Sequence, residues 1–183
     1  MRFRPLALGL VFIGCLAASA SSYAAGEKVI MTLKTGKVEI TLKPDIAPGH
    51  VERFLKLIGE GFYNGIKFHR VIPGFMAQTG DPTGTGTGGS PYPDLKAEFN
   101  ESAQFVRGTL GAARTGDPNS ANSQWFICFT DQSCPHLNGQ YTIFGQVTKG
   151  MEAVDKVKQG DPEGGMVESP DTIVEMHVAK AGE

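Results

Sequence analysis

The chain has 183 residues, a formal net charge of −2, 40% hydrophobic residues and 20% charged residues. This length favours a single domain, and the composition is typical of a soluble globular protein and excludes a disordered one. With 24 glycines and 11 prolines, many turns are expected, which favours a β-rich fold with short connections over a helical bundle.

The first 24 residues have the pattern of a secretory signal peptide. A basic segment opens the chain, residues 6–16 form an apolar run, and small residues follow. The apolar run is too short to span a bilayer, which needs about 20 residues. Cleavage is expected after Ala24 or Ala25, with Ala20 as an alternative. Residues 25–183 would then form the mature domain.

The charge of the mature chain restricts its partners. Cleavage would leave 15 basic residues against 19 acidic ones, a net charge of −4. Binding to nucleic acid requires clustered lysine and arginine, so neither nucleic acid nor an anionic membrane surface is an expected partner. The residues before Cys15 match a lipid-attachment signal poorly, and no membrane anchor is expected.

The beginning of the mature chain predicts a β-hairpin followed by a helix. Residues 29–33 and 38–42 flank Thr35-Gly36, and apolar and polar residues alternate in the second run. This pattern is typical of two antiparallel strands. Residues 48–58 carry apolar side chains at i, i+3, i+4 and i+7, which predicts an amphipathic helix.

The rest of the chain predicts more short strands and a second helix. Further strand candidates are residues 66–72, 75–79, 109–114, 124–129, 141–147 and 172–179. A short helix should start near Gly150, with Met151, Val154 and Val157 on one face. Many short strands with two helices favour a closed antiparallel barrel capped by helices, although periodicity alone does not name the fold.

Cys128 and Cys134 remain after cleavage, and an oxidising compartment would allow them to pair. Cys128 lies in the apolar run Trp125-Phe126-Ile127-Cys128-Phe129, where a free buried cysteine behaves as a small hydrophobic residue. We therefore expect no disulfide, with Cys128 pointing into the barrel and Cys134 in a loop. Without histidines at ligand spacing, the two cysteines make a poor zinc site.

A glycine-rich segment, residues 84–89, formally matches the G-x-G-x-x-G pattern of dinucleotide-binding proteins. Such a site requires a preceding strand and a following helix. Here Asp81-Pro82 precedes the segment and Ser90-Pro91 follows it, so we interpret it as a surface loop. No cofactor is expected.

Residues 68–81 place an arginine, a glutamine and large apolar side chains close together. With strand alternation, Phe68 and Arg70 share one face, and so do Met76 and Gln78. From spacing alone, an active site and the alternative of a surface arginine beside core residues remain equally open.

The same residues read F-H-R-V-I-P-G-F-M-A-Q-T-G-D, which resembles the signature of cyclophilins. Gly84–Gly89 resembles the family's G-T-G-G loop, and Ser123–Cys128 resembles its S-Q-F-F-I segment. Leu137–Gly145 resembles L-D-G-x-x-x-x-F-G. These blocks occur in family order and spacing, and the similarity covers residues 28–180. The chain thus resembles a cyclophilin-type peptidyl-prolyl cis–trans isomerase, especially exported bacterial members.

The resemblance implies an all-β-dominated fold, an eight-stranded antiparallel closed β-barrel capped by two α-helices, with a substrate groove on its outer surface. It implies that Arg70 is the catalytic residue and that the groove binds substrate through ten further residues. These are Phe75, Met76, Phe126 and Leu137 for the proline ring, Gln78 beside the substrate carbonyl, and Ala113, Arg114, Gln124, His136 and Tyr141 along the groove.

The chain departs from many eukaryotic members at two groove positions. His136 stands where they have tryptophan, and Tyr141 stands where they have histidine; a tyrosine there is similar to bacterial members. The loop Asp131–Cys134, just before His136, is also slightly longer than usual.

The implied function is isomerisation of X–Pro bonds in exported proteins, which assists their folding and needs no covalent intermediate, cofactor or metal. The expected partners are flexible proline-containing polypeptides, and the expected state is a monomer. A binding module or holdase chaperone without turnover is the rival hypothesis, against which the intact Arg70 and Gln78 argue. The bacterial periplasm is the expected location, with the endoplasmic reticulum as the alternative.

Overall fold

The computed structural model describes residues 26–180, so the predicted signal peptide, residues 1–24, lies outside the described residues. The strands are β1 Lys28–Leu33, β2 Gly36–Leu42, β3 Arg70–Ile72, β4 Met76–Thr79, β5 Thr109–Ala112, β6 Trp125–Cys128, β7 Ile143–Lys149 and β8 Ile173–Val178. The helices are α1 Pro48–Gly59 and α2 Met151–Val154, with a 3-10 helix at Pro135–Leu137. Within residues 26–180, no helix has the length and hydropathy of a membrane span.

The predicted hairpin and both predicted α-helices are confirmed. Strands β1 and β2 pair antiparallel across the turn, with Leu33 opposite Gly36. All four predicted apolar positions of α1 are buried, and the helix packs against β7 and β8. Helix α2 follows Gly150 and ends at the buried Val154, and Val157, just beyond its end, is also buried.

The start of α1 is capped by a carboxylate that the sequence pattern did not reveal. One oxygen of Glu98 accepts a hydrogen bond from the N–H of Gly49 at 2.9 Å, and the other accepts from the N–H of His50 at 3.0 Å. These N–H groups have no partner inside the helix, and a negative charge at this end also favours the helix dipole. Glu98 therefore fastens α1 to the loop before β5.

The eight strands form one antiparallel sheet in the order β3-β4-β6-β5-β7-β2-β1-β8. This confirms the β-dominated antiparallel architecture with two α-helices. The prediction of a closed barrel is wrong: the sheet is an open half-barrel with β3 and β8 at its edges. The residues before β3 reach the end of the sheet near β8 through isolated bridges, such as Lys67 to Thr172, rather than through a ladder.

The reason for the open edge is that another segment occupies the free side of β3. The N–H of Val71 donates to the carbonyl of Gly165 at 2.7 Å, and the N–H of Gly160 donates to the carbonyl of Val71 at 2.9 Å. Because each backbone group is already paired, β8 cannot form a ladder on this side of β3.

Alternation along β6 separates the molecule into two apolar clusters. Trp125 and Ile127 point into the main core, where the Trp125 ring meets Phe54 edge-on at 5.5 Å between centroids. Phe126 and Cys128 point to the opposite, outer face and belong to a smaller cluster. Trp125 and Phe126 therefore point to opposite sides of β6.

The prediction of two free cysteines is wrong, because Cys128 and Cys134 form a disulfide with a Cα–Cα distance of 6.3 Å. Cys128 also does not point into the barrel. It follows Phe126 by two positions on β6, and period-two alternation places both on the outer face. The loop after β6 turns back over this face and brings Cys134 within bridging distance, which ties the start of the 3-10 helix to the sheet.

We predict that replacing both cysteines by alanine in the chain without residues 1–24 lowers the free energy of unfolding by about 2 kcal/mol. The crosslink spans a sequence separation of 6, and closing such a short loop in the unfolded chain accounts for a stabilisation of about that size. Urea denaturation without a reducing agent measures the difference.

Two controls accompany this measurement. A reducing agent should lower the stability of the wild type to that of the variant and leave the variant unchanged. Alkylation of the unfolded, unreduced wild type followed by mass spectrometry should label neither cysteine. Two labels per chain would contradict the disulfide.

Candidate functional site

The central side chains of the candidate site come from one row across the sheet. Arg70 on β3 lies opposite Gln78 on β4, and Gln78 lies opposite Phe126 on β6. Phe126 lies opposite Gly111 on β5. Directly opposed residues project from the same face of a sheet, so a cation, an amide and an aromatic ring stand side by side on the outer face.

The floor of the site is aromatic and depends on the absence of a side chain at Gly111. The Phe126 ring is 4% exposed and stacks on Phe105, with 5.7 Å between centroids and 17° between planes. A Cβ atom on Gly111 would lie 2.4 Å from the Cζ of Phe126. Glycine at this position therefore makes room for the ring to lie over β5. Met76, 2% exposed, continues the floor.

The rim is formed by the turn before β4 and by the 3-10 helix. The Phe75 ring lies 5.4 Å from the exposed His136 ring, measured between centroids. Leu137 follows His136 and is half-buried against the outer cluster. Tyr141 meets Phe126 edge-on at 5.9 Å, so that the floor is walled by apolar groups on two sides.

These side chains enclose an open cavity of about 590 Å³. Of the eleven residues predicted for the site, the structure brings ten together in its lining: Arg70, Phe75, Met76, Gln78, Ala113, Arg114, Phe126, His136, Leu137 and Tyr141. The eleventh, Gln124, lines an adjoining cavity of about 470 Å³ that shares Gln78, Ala113 and Arg114 with the first.

Five further residues line the first cavity that the sequence analysis did not assign to the site: His69, Thr85, Gly86, Thr87 and Met166. The first four lie within or beside motifs that were recognised, so their position could have been inferred. Met166 lies far along the chain in a segment without periodicity, and no sequence signal points to it.

The guanidinium of Arg70 is held at two nitrogen atoms. Its Nε donates to the carbonyl of Gly164 at 3.0 Å, and its Nη1 donates to Oε1 of Gln78 at 3.2 Å. Among residues 26–180, no acceptor forms a hydrogen bond with Nη2. The side chain is half-buried at the cavity, so a charged donor remains available to a bound molecule.

The orientation of Gln78 follows from its neighbours. Arginine can only donate hydrogen bonds, so the amide oxygen of Gln78 must face Arg70. The Gln78 amide nitrogen then donates to Oε1 of Gln124 at 2.9 Å. Gln124 in turn donates to the carbonyls of Gly86 and Gly88 at 3.0 and 2.8 Å. The arginine is thus connected through two amides to the glycine-rich loop.

The glycine-rich loop folds around the carboxylate of Asp81, which is 1% exposed. Its oxygens accept hydrogen bonds from the backbone N–H groups of Thr83, Thr85, Gly86 and Gly88, and from the Thr83 hydroxyl. Burial alone would raise the pKa of Asp81, but these donors outweigh it and lower the pKa to about 2. The carboxylate is therefore charged at neutral pH and holds the loop in place.

Two further side chains determine the charge around Arg70, one of them neutral and one of them a cation. Burial of His69, 2% exposed, lowers its pKa, so a neutral ring lies next to Arg70 at neutral pH. The guanidinium of Arg114 lies 4.3 Å from the centroid of the Tyr141 ring and donates to the carbonyl of Gln140. A second cation is thereby fixed at the far wall of the cavity.

This arrangement suits a ligand with a small apolar ring beside a polar backbone. The aromatic floor takes the ring, while Arg70 and Gln78 offer donors and an acceptor along one side. Among residues 26–180, no group of three or more His, Cys, Asp or Glu side chains could hold a metal ion.

Comparison with known proteins gives consistent results. Residues 28–178 match the family described as "Cyclophilin type peptidyl-prolyl cis-trans isomerase/CLD". A probable peptidyl-prolyl cis–trans isomerase of Brucella suis biovar 1 (strain 1330) is 54% identical over 168 residues, covering 85% of this chain and 84% of the relative. A peptidyl-prolyl cis–trans isomerase of Helicobacter pylori (strain J99) is 45% identical and covers 76% and 86%.

The fold also resembles a solved structure, a cyclophilin-type peptidyl-prolyl cis–trans isomerase of Cryptosporidium parvum crystallised in the presence of the dipeptide Ala-Pro. The two chains superpose with a TM-score of 0.76 at 30% identity, covering 84% of this chain and 99% of the other.

We predict that Asp81→Asn lowers the free energy of unfolding at pH 7 by about 2 kcal/mol, because the folded-state pKa of about 2 lies below the ordinary value of 3.8. A carboxylate with a depressed pKa stabilises the fold fully above its unfolded-state pKa and loses this effect as the pH falls through the folded-state pKa. The difference between wild type and variant should therefore be constant above about pH 5 and shrink between about pH 4 and 2.

Urea denaturation at a series of pH values measures this difference. Asp45→Asn, at an exposed position, is the matched control and should track the wild type throughout. A gap between wild type and Asp81→Asn that stays constant or widens as the pH falls would show that the pKa of Asp81 is not depressed.

Proposed function

Because this chain belongs to the cyclophilin-type peptidyl-prolyl cis–trans isomerase family and is an enzyme of that type, we propose that it accelerates X–Pro isomerisation in exported proteins through Arg70. One observation carries the assignment to Arg70: its guanidinium is fixed at Nε and Nη1 beside an apolar cavity, while Nη2 remains available.

The reaction requires no bond to be made or broken. Rotation about a peptide bond interrupts amide resonance, with a barrier of ~18–20 kcal/mol, and uncatalysed X–Pro exchange takes tens to hundreds of seconds. In the twisted transition state the prolyl nitrogen regains its lone pair and can accept a hydrogen bond. An enzyme can lower the barrier by donating that bond, because only interactions stronger in the transition state accelerate a reaction.

Arg70 supplies this donor in the proposed mechanism. Arginine carries its charge throughout the physiological pH range and presents planar donors. Two of its nitrogen atoms are already engaged, so the direction of the third is set before substrate binds. Preorganised donors of this kind lower a barrier because no reorientation is needed during the reaction.

The apolar cavity holds the proline ring during rotation. Met76 and Phe126 form its floor, and Phe75 and Leu137 form its rim. With the ring fixed, the carbonyl of the preceding residue is the part that rotates. The Cryptosporidium relative was crystallised in the presence of Ala-Pro, which is consistent with a proline-containing ligand for this shape of cavity.

The remaining groove residues bind the substrate backbone. Gln78 has its amide oxygen turned to Arg70 and its nitrogen to Gln124, so it borders the path of the substrate chain. Arg114 and Ala113 lie between the two cavities and line both. A peptide that places proline in the first cavity can therefore extend its preceding residues towards the second.

Two features support a role in a compartment that receives exported proteins. The first 24 residues have the composition of a signal peptide. The Cys128–Cys134 disulfide is typical of proteins in oxidising environments. Newly exported chains must isomerise their X–Pro bonds to fold, so assistance to their folding in the bacterial periplasm is the setting that we propose.

We predict that Arg70→Ala lowers kcat/KM for an X–Pro peptide by about 10²–10³, which corresponds to about 2–4 kcal/mol of transition-state stabilisation. Arg70→Lys should recover only a small part, because an ammonium lacks the planar fork. Two-dimensional NMR exchange between the cis and trans forms measures the rate, and circular dichroism checks the fold.

Arg53→Ala is the matched control, because Arg53 lies on α1 outside both cavities and donates to the carbonyl of Pro93. It should retain the wild-type rate. A folded Arg70→Ala variant with wild-type kcat/KM would refute the mechanism, and so would binding of proline peptides without any turnover by the wild type.

We predict that the protein recovered from its native cells begins at Ala25 or Gly26, because cleavage is expected after Ala24 or Ala25. Cell fractionation followed by mass spectrometry of the N-terminal peptide measures both location and cleavage. An intact N-terminus in the cytoplasmic fraction would contradict the proposed export.

A further inference from the structure

A loop of residues 160–167, here called the 160–167 loop, lies beside Arg70 on the side away from Gln78. It is the segment that occupies the free edge of β3. Gly160 and Gly165 bond to the backbone of Val71, and the N–H of Val167 donates to the carbonyl of His69 at 3.1 Å. The loop is therefore fastened to β3 immediately before and immediately after the arginine.

The close docking of the loop depends on Gly165. Its φ is +76°, a conformation that side chains disfavour, and a Cβ atom there would lie 2.4 Å from Cγ1 of Ile72. The loop backbone thus approaches β3 at a position that only glycine can occupy.

The interior of the loop is organised by one carboxylate, that of Asp161. Its oxygens accept hydrogen bonds from the N–H groups of Glu163 at 3.1 Å, Gly164 at 2.5 Å and Met166 at 2.9 Å. The N–H of Gly165 donates to the carbonyl of Asp161 at 2.9 Å. Although Asp161 is exposed, these donors, that of Gly164 foremost, lower its pKa, so it is charged at neutral pH.

With its N–H turned inward to Asp161, Gly164 presents its carbonyl outward to Arg70. That carbonyl accepts the hydrogen bond from Nε at 3.0 Å. Gln78 holds Nη1 from the opposite side at 3.2 Å. Two acceptors from different parts of the chain thus fix the plane of the guanidinium, and Asp161 determines the position of one of them without touching the cavity.

We propose that Asp161 is a positioning residue for Arg70, which acts by holding the Gly164 carbonyl against Nε. The proposal rests on the catalytic role proposed above for Arg70. Loss of the carboxylate leaves the floor and rim of the cavity in place, because other segments supply them, and of the lining residues it frees only the backbone N–H of Met166. It therefore lowers kcat much more than it changes KM.

The test compares Asp161→Ala and Asp161→Asn with the wild type in the isomerase assay. Because small misplacements of a catalytic group are costly, Asp161→Ala should lose on the order of tenfold in kcat. Asp161→Asn keeps one acceptor oxygen and should lose less. Asp171→Asn is the matched control: this carboxylate also accepts a backbone N–H, that of Lys158, but holds no group of the cavity.

A double-mutant cycle separates positioning from a general loss of structure. In the Arg70→Ala background, Asp161→Ala should change kcat/KM less than twofold, because the arginine that it positions is absent. In NMR spectra of the otherwise wild-type chain, the Nε–H signal of Arg70 should exchange faster with water after Asp161→Ala or Asp161→Asn.

Three results would overturn the proposal: wild-type kcat in folded Asp161→Ala, an equal loss of kcat/KM in both backgrounds, or an Nε–H exchange rate that neither substitution alters. Should Asp161→Ala fail to fold, the kcat and the Nε–H exchange rate of Asp161→Asn test the proposal, and wild-type values of both would overturn it. The catalytic role of Arg70 fails separately, if Arg70→Ala retains wild-type kcat/KM.

Discussion

The antiparallel register of β3, β4 and β6 is the constraint on which the rest of the site depends. It places Arg70, Gln78 and Phe126 in one row on the outer face of the sheet. A shift of one residue in either pairing would turn every side chain of the shifted strand to the other face. The register is secured from the core side, where Ala77 and Ile127, opposite one another, are fully buried. Packing in the core thus determines which side chains face the groove.

Arg70 stands between two loops that are built on the same principle. Each loop is rich in glycine and wraps its backbone N–H groups around a single carboxylate, Asp81 on one side and Asp161 on the other. With the N–H groups turned inward, carbonyls face outward and accept hydrogen bonds, either from Gln124 or from Arg70 itself. Arg70 is thereby oriented by neutral oxygen acceptors, and no carboxylate among residues 26–180 forms an ion pair with it.

Local patterns and the family resemblance predicted most of the fold, and also ten of the fifteen residues that line the first cavity. The sequence patterns gave correct predictions where periodicity or a continuous motif carries the information, as in α1 and in residues 68–81. They failed where the outcome depends on segments distant in the chain. The 160–167 loop pairs with the edge of β3, so the barrel does not close there. The loop after β6 brings Cys134 within bonding distance of Cys128. The orientation of Cys128 could have been predicted from strand alternation, since it follows Phe126 by two positions and therefore lies on the same outer face.

The position of the single tryptophan has a practical consequence. Trp125 is 1% exposed and lies among Phe54 and Tyr63 on the inner side of β6, whereas Phe126 forms the floor of the cavity on the other side. Its fluorescence will therefore follow the integrity of the main core and respond weakly to occupancy of the groove. The protein carries a built-in optical reporter of unfolding that a bound peptide leaves largely undisturbed, so stability and ligand binding can be monitored through separate signals in one sample.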